Sequence, residues 1–63
     1  MTPRELEVAR LMTLGLDNRR IAEKLCLRER TVKYHVGNVY SKLGVSSRSE
    51  VVLWGVRHGL VEK

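Results

Sequence analysis

The chain has 63 residues and a net charge of +5, and these two properties limit the functions open to it. A chain of this length forms one domain and cannot enclose the cleft of converging groups that an enzyme needs, so we expect no catalytic residues. One cysteine and two widely separated histidines exclude an internal disulfide and offer no local metal site, so we expect no cofactor.

The positive charge is concentrated in one stretch of the chain. Between Arg19 and Lys42, seven Lys or Arg side chains stand against two carboxylates, whereas the charges of the remaining residues cancel. A basic segment of this kind is typical of a surface that binds nucleic acid. The longest apolar run, Val51 to Val56, is too short to cross a bilayer, and the residues after Met1 do not form a signal peptide. We therefore expect a cytoplasmic protein without membrane contacts.

Helix-start signals define the first two helices. Thr2-Pro3-Arg4-Glu5 is a capping-box sequence with proline at the first helical position, and it predicts a helix from about Pro3 to Leu14. Asp17 is a suitable N-cap for a short second helix, Asn18 to Leu25.

Two further helices follow a break at Cys26-Leu27-Arg28, where we expect Cys26 to be a small buried side chain. The third is predicted from Glu29 to Leu43, and a second capping box, Ser47-Arg48-Ser49-Glu50, opens a fourth from Arg48 to about His58. Three glycines that follow helix-compatible runs predict left-handed helix ends: Gly15, Gly44 and Gly59. No useful strand-like alternation occurs, so the predicted fold is an all-α four-helix bundle.

The third helix divides into an apolar stripe and a polar outward face when its residues are placed at 100° intervals. The stripe consists of Val32, Val36, Val39 and Leu43. The opposite face consists of Arg30, Tyr34, Gly37, Asn38 and Ser41, with Lys33 on one flank and Thr31, His35 and Lys42 on the other. This division suits a helix in the major groove, because short-range contacts read the bases while flanking cations bind phosphates.

Several residues of this face leave two interpretations open. A glycine inside a helix costs about 0.5–1 kcal/mol relative to alanine. Either the close approach of DNA compensates for Gly37, or the glycine is simply tolerated. His35 is either a packed or solvated histidine or a phosphate contact, whereas for Tyr34 we favour a DNA contact over an ordinary surface aromatic.

The fourth helix is apolar nearly all round, with more apolar residues than one buried face requires. These residues are Val51, Val52, Leu53, Trp54 and Val56. They either complete the core over the first helix or form a self-association surface, which we favour. Gly55 allows either a partner helix or the first helix to approach closely.

Taken in order and at their spacing, these motifs resemble the LuxR-type helix-turn-helix domain of bacterial transcriptional regulators, the LuxR/NarL/FixJ class. The resemblance covers essentially the whole chain. It is carried by Thr2-Pro3-Arg4-Glu5, Gly15-Leu16-Asp17-Asn18, Ile21-Ala22, Thr31-Val32-Lys33, Lys42-Leu43-Gly44-Val45, Arg48 and His58-Gly59-Leu60-Val61.

The resemblance implies a function and an architecture. It implies a four-helix bundle whose second and third helices, about Asp17 to Val36, form the helix-turn-helix, with the third helix in the major groove. It also implies sequence-specific binding of double-stranded DNA by the C-terminal output domain of a longer response regulator or quorum-sensing regulator. The expected partners are operator DNA, a second copy of the domain and RNA polymerase.

The same resemblance implies roles for individual residues. Base contacts are expected from Lys33, Tyr34 and Gly37, with Asn38 close by. Phosphate or groove-edge contacts are expected from Arg20, Thr31, His35 and Lys42, and Arg30 and Ser41 complete the predicted DNA-binding set. A dimer contact is expected from Leu53, Trp54 and Arg57.

Two positions depart from the family pattern. Arg28 stands where the family often has a serine-type N-cap, so the third helix is predicted to begin less well capped. Gly37 stands where several relatives carry a longer side chain, so base readout there is expected to pass to Tyr34 or Asn38.

The rival interpretation of the whole chain is a helical protein-binding module or a sigma-factor region. Binding to duplex DNA that falls steeply with salt would favour the DNA-binding domain over this rival.

Overall fold

The computed structural model describes residues 1–61, which form four helices around one apolar core. The helices are α1 (Pro3–Thr13), α2 (Asn18–Leu25), α3 (Glu29–Leu43) and α4 (Arg48–Arg57), and no strand occurs among residues 1–61. The predicted all-α fold is therefore confirmed. Helices α1 and α4 end one residue earlier than predicted, because Leu14 and His58 are their C-caps.

Side chains cap the start of three helices, as the capping sequences predict. The Thr2 Oγ1 accepts a hydrogen bond from the Glu5 backbone N–H at 3.2 Å, and the Glu5 carboxylate accepts one from the Thr2 N–H at 3.0 Å. Asp17 and Ser47 accept the backbone N–H three residues further on, at the starts of α2 and α4. Helix α3 begins at Glu29, and its N-cap residue Arg28 makes no side-chain capping hydrogen bond, which confirms that prediction.

All four helices end in the same way. A residue in the left-handed conformation is followed by an apolar residue whose N–H bonds to the carbonyl five positions earlier, the Schellman motif. Glycine is the left-handed residue after three of the helices, with φ of 91°, 69° and 68°. The bonds are those from Leu16 to Leu11, Leu27 to Ala22, Val45 to Tyr40 and Leu60 to Gly55. The four apolar residues pack against the core, so each helix end is fixed by packing as well as by hydrogen bonds.

The prediction that Cys26 is buried is wrong. Cys26 is the left-handed residue that ends α2, with φ 56° and ψ 43°, and its side chain is exposed. The left-handed turn directs the next side chain inward instead, so Leu27 rather than Cys26 packs against the core.

The core lies between α1 and the other three helices, each of which packs against α1. Its buried apolar residues are Val8, Ala9, Leu11, Met12, Ile21, Ala22, Val32, Val36, Val39 and Val51. The predicted stripe of α3 is confirmed for its three valines, whereas Leu43 is half-buried. None of the helices in the described residues is long and apolar enough to span a membrane.

Two contacts fix α4 on the bundle. The Arg48 guanidinium donates to the Asn18 Oδ1 at 3.0 Å and to the Leu16 carbonyl at 2.7 Å, which ties the start of α4 to the start of α2. Further along, Gly55 packs so closely on α1 that a Cβ there would lie 2.7 Å from the Cγ2 of Thr13. Of the two explanations for Gly55, the close approach of α1 is therefore the one observed.

Candidate nucleic-acid interface

The outward face of α3 carries nearly all the residues predicted to contact DNA. Arg30, Lys33, Tyr34, Gly37, Ser41 and Lys42 are exposed, and Thr31, His35 and Asn38 are half-buried. The Tyr34 side chain is 68% exposed, whereas Val36 is 7% exposed, so the rotational setting of the helix is as predicted. The face is accessible along the full length of α3.

The first turns of α3 present cations that are free to bind an anion. Arg28, Arg30 and Lys33 are exposed, and within residues 1–61 none of them forms an ion pair. Arg28 lies directly before the helix; it does not belong to the predicted DNA-binding set, but an arginine at the N-cap adds positive charge for phosphate binding. Unpaired cations flanking a polar helix face are the arrangement that phosphate binding requires.

Lys42 differs from these cations because it is already paired. Its ammonium donates to the Glu5 carboxylate of α1 at 2.9 Å, and Glu5 is only 4% exposed. The hydrogen bond from the Thr2 backbone N–H, followed by that from Lys42, lowers the pKa of Glu5 from 4.5 to about 2. The phosphate contact expected of Lys42 stays a prediction, but this ammonium is not a free cation in the described residues.

His35 is half-buried beside the outward face. Its Nδ1 is buried and has no hydrogen-bond partner among the described residues. The ring meets the Tyr34 ring edge to face, with centroids 5.7 Å apart and an interplanar angle of 63°. His35 is therefore partly packed, with a buried polar atom that the packing leaves unsatisfied.

Arg20 lies on α2 rather than on α3. It is exposed and lines an open groove between α1 and α2, together with Arg10 and Lys24. Its predicted contact with phosphate stays a prediction.

The predicted dimer residues lie on the outer side of α4. Leu53 is 52% exposed and Arg57 is exposed, whereas Trp54 is half-buried. The Trp54 ring stacks on the His58 ring at 4.3 Å, with an interplanar angle of 20°. These side chains line a shallow groove with an apolar floor, so α4 keeps accessible apolar surface after the core is complete.

Comparison with known proteins assigns this arrangement to a family. Residues 1–54 match the family described as bacterial regulatory proteins, luxR family. The chain belongs to the LuxR family. This agrees with the helix-turn-helix of α2 and α3, and it confirms the resemblance seen in the motifs.

Several relatives show the kind of protein in which such a LuxR-family domain occurs. The chain is 47% identical over 60 residues to the transcriptional regulatory protein LnrK of Bacillus subtilis, covering 95% of this chain and 27% of that protein. It is 37% identical over 62 residues to the response regulator VraR of Staphylococcus aureus, covering 98% of this chain and 30% of that protein. The chain therefore spans less than a third of the length of these relatives.

A solved structure supports the same assignment. The crystal structure of the response regulator ChrA, from a heme-sensing two-component system, matches with a TM-score of 0.84 and 38% identity. The match covers 95% of this chain and 30% of that protein. The chain is thus a DNA-binding domain of the response-regulator type of transcription regulator, and not an enzyme.

Proposed function

We propose that this domain binds double-stranded DNA sequence-specifically, with α3 in the major groove, as the output domain of a longer transcription regulator. The observation that carries the proposal is the exposed face of α3, where Arg30 and Lys33 are unpaired within the described residues and flank Tyr34. The helix has 15 residues and is therefore about 22 Å long. A single helix of this kind fits the major groove, which is about 12 Å wide.

The residue types on this face support a division of roles. Lys33, Tyr34 and Asn38 are the proposed base contacts, since they lie on the outward face of α3, where Lys33 and Tyr34 are exposed and Asn38 is half-buried. Gly37 lies among them, and a Cβ there would meet no atom within 4 Å in the free domain. Packing among the described residues does not require a glycine at this position, which favours the close approach of DNA as its reason.

Phosphates are the proposed partners of Arg20, Arg30, Thr31 and His35, with Ser41 at the far end of the face. Such contacts set the position of a protein on the duplex and carry no sequence information themselves. A bacterial transcription regulator acts on the chromosome, so the proposed location is the cytoplasm. Contact with RNA polymerase remains a prediction.

Selection of bound duplexes from a random pool tests this function, because it yields the recognised bases. On the selected site, Lys33→Ala should weaken binding by about 1–3 kcal/mol. Lys24→Ala is the matched control, since it removes the same charge from an exposed position on α2. Equal losses of affinity from the two substitutions would show that Lys33 contributes only to the long-range electrostatic attraction of the domain for DNA. Absence of any salt-sensitive duplex binding would contradict the function itself.

We also propose that two copies of the domain associate through α4 on DNA. The support is the exposed apolar surface around Leu53, which the core does not use. Leu53→Glu should reduce cooperativity on an operator with two half-sites and spare binding to one half-site. Leu14→Glu is the control, because Leu14 is 49% exposed and Leu53 is 52% exposed. Unchanged cooperativity of Leu53→Glu would exclude α4 as the dimer contact.

A further inference from the structure

The unsatisfied atom of His35 indicates how this residue contacts its ligand. A neutral imidazole carries one proton, and its two nitrogens therefore differ, one donating and the other accepting a hydrogen bond. The Nδ1 of His35 is buried and unpartnered, whereas Nε2 is not among the buried unpartnered atoms of the described residues. The packing of His35 thus leaves Nε2 as the nitrogen that can reach a partner outside the domain.

The burial of Nδ1 also decides which nitrogen holds the proton. A proton on Nδ1 would place an unpaired donor in the interior, and buried N–H groups without partners are rarer than unpaired acceptors. An imidazolium would add a charge to that unpaired donor and cost still more. Of the two neutral tautomers, the one with the proton on Nε2 leaves an unpaired acceptor rather than an unpaired donor at the buried Nδ1 and is therefore the less costly one.

From these two steps, and given the DNA binding proposed above, we infer that His35 donates a hydrogen bond from Nε2 to a phosphate oxygen of DNA as a neutral imidazole. His35 lies on the flank of the outward face of α3, where phosphates rather than bases are expected. The contact differs from those of Lys33 and Arg30 because it releases no counterion. It therefore adds affinity without adding to the salt dependence of binding.

Two substitutions separate the nitrogens of the ring. The side-chain amide of glutamine reaches the position of Nε2, whereas that of asparagine reaches only the position of Nδ1. His35→Gln should bind the selected duplex within about threefold of the wild type. His35→Asn and His35→Ala should bind about 10-fold to 100-fold more weakly, the range of a hydrogen bond to a charged group.

The salt dependence provides a readout that a merely structural role would not give. His35→Ala should leave the slope of log affinity against log salt unchanged, whereas Lys33→Ala should reduce its magnitude by about 1. A reduced slope for His35→Ala would overturn the inference, because it would show a charged contact. Equal affinities of the Gln and Asn variants would also overturn it while leaving the proposed function intact.

Nitrogen NMR of the wild-type domain tests the tautomer directly and does not depend on whether a variant folds. Spectra of a His58→Gln variant assign the signals of the two histidines. The expected result at neutral pH is a protonated Nε2 and an unprotonated Nδ1 of His35, free and DNA-bound. A protonated Nδ1 in either state would refute the inference. Failure of the wild type to bind any duplex would refute the inference together with the proposed function.

Discussion

The close packing of Gly55 on α1 makes a quantitative prediction for an alanine at this position. The added Cβ would lie 2.7 Å from the Cγ2 and 2.9 Å from the Cβ of Thr13, closer than atoms normally approach. Thr13 cannot easily move aside, because its hydroxyl donates to the Ala9 carbonyl at 2.8 Å and its side chain is β-branched. Gly55→Ala must therefore displace part of the α1–α4 interface.

The magnitude follows from two opposing effects. Overpacking of a helix interface costs about 1–3 kcal/mol. Replacing glycine by alanine inside a helix gains about 1 kcal/mol. Gly55→Ala should therefore lower the free energy of unfolding by about 0–2 kcal/mol. Gly37→Ala receives the same helix gain, but its Cβ meets no atom within 4 Å. It should stabilise the domain by about 0.5–1 kcal/mol.

The decisive quantity is the difference between the two variants, because the helix propensity cancels. Thermal and urea unfolding followed by circular dichroism should place Gly55→Ala about 1–3 kcal/mol below Gly37→Ala. For a domain of this size, each kcal/mol corresponds to about 4–8 °C in Tm. Equal stabilities would show that α1 and α4 do not approach as described. Gly37→Ala should also weaken DNA binding despite its added stability, since the methyl group lies on the proposed contact face.

Three further predictions concern other parts of the fold. Glu5→Gln should have a lower free energy of unfolding than the wild type at neutral pH, and this difference should shrink as pH falls from 4.5 toward 2, because the Glu5 carboxylate, whose pKa is lowered, stabilises the fold only while it is charged. A difference in stability that stays constant across the acid-unfolding curves would contradict this. Cys26→Gly should raise the unfolding free energy by about 1 kcal/mol, since it relieves a left-handed conformation, and an unchanged Tm would argue against that strain. Val36→Ala should lower the free energy of unfolding by about 1–3 kcal/mol, whereas Tyr34→Ala should leave Tm nearly unchanged and weaken DNA binding. Unfolding of Tyr34→Ala would show that the outward face of α3 is wrongly assigned.

The helix bounds could be predicted within one residue because their signals are local. The capping residues Thr2, Asp17 and Ser47 act on backbone groups three positions away, and glycine marks three of the helix ends. The exposed and buried sides of α3 follow from its periodicity alone. The predicted burial of Cys26 is wrong because α2 ends in the left-handed geometry without the glycine that normally signals it.

Contacts between distant segments could not be predicted, since they depend on how the helices pack. The Lys42–Glu5 pair joins residues 37 positions apart, and Arg48 bonds to Asn18 across 30 positions. Periodicity assigns Lys42 to a flank of α3 but does not show that a buried carboxylate lies next to it. The orphaned Nδ1 of His35 is likewise a product of packing, without a signal in the sequence.

The Lys42–Glu5 ion pair makes the two ends of α3 differ in the positive charge that they can offer to DNA phosphates. Within residues 1–61, Arg28, Arg30 and Lys33 are cations without an ion-pair partner at the N-terminal end of α3, whereas Lys42 neutralises a carboxylate at the other end. Helix-turn-helix proteins contact base edges with the first residues of the recognition helix, which agrees with this polarity. Removing Lys42 alone would leave Glu5 uncompensated and repulsive toward phosphates.

A double-mutant cycle separates this repulsion from a direct phosphate contact of Lys42. Lys42→Ala should weaken duplex binding, and adding Glu5→Gln should restore much of the loss, because the repulsive charge is then gone. Glutamine suits this purpose, since it can still accept the backbone hydrogen bond of the capping box. Affinities should be measured at low salt, where the effect of charge is largest, with circular dichroism confirming the fold of each variant. If the double variant binds as weakly as Lys42→Ala, Lys42 contacts phosphate directly, and its pairing with Glu5 does not prevent that contact.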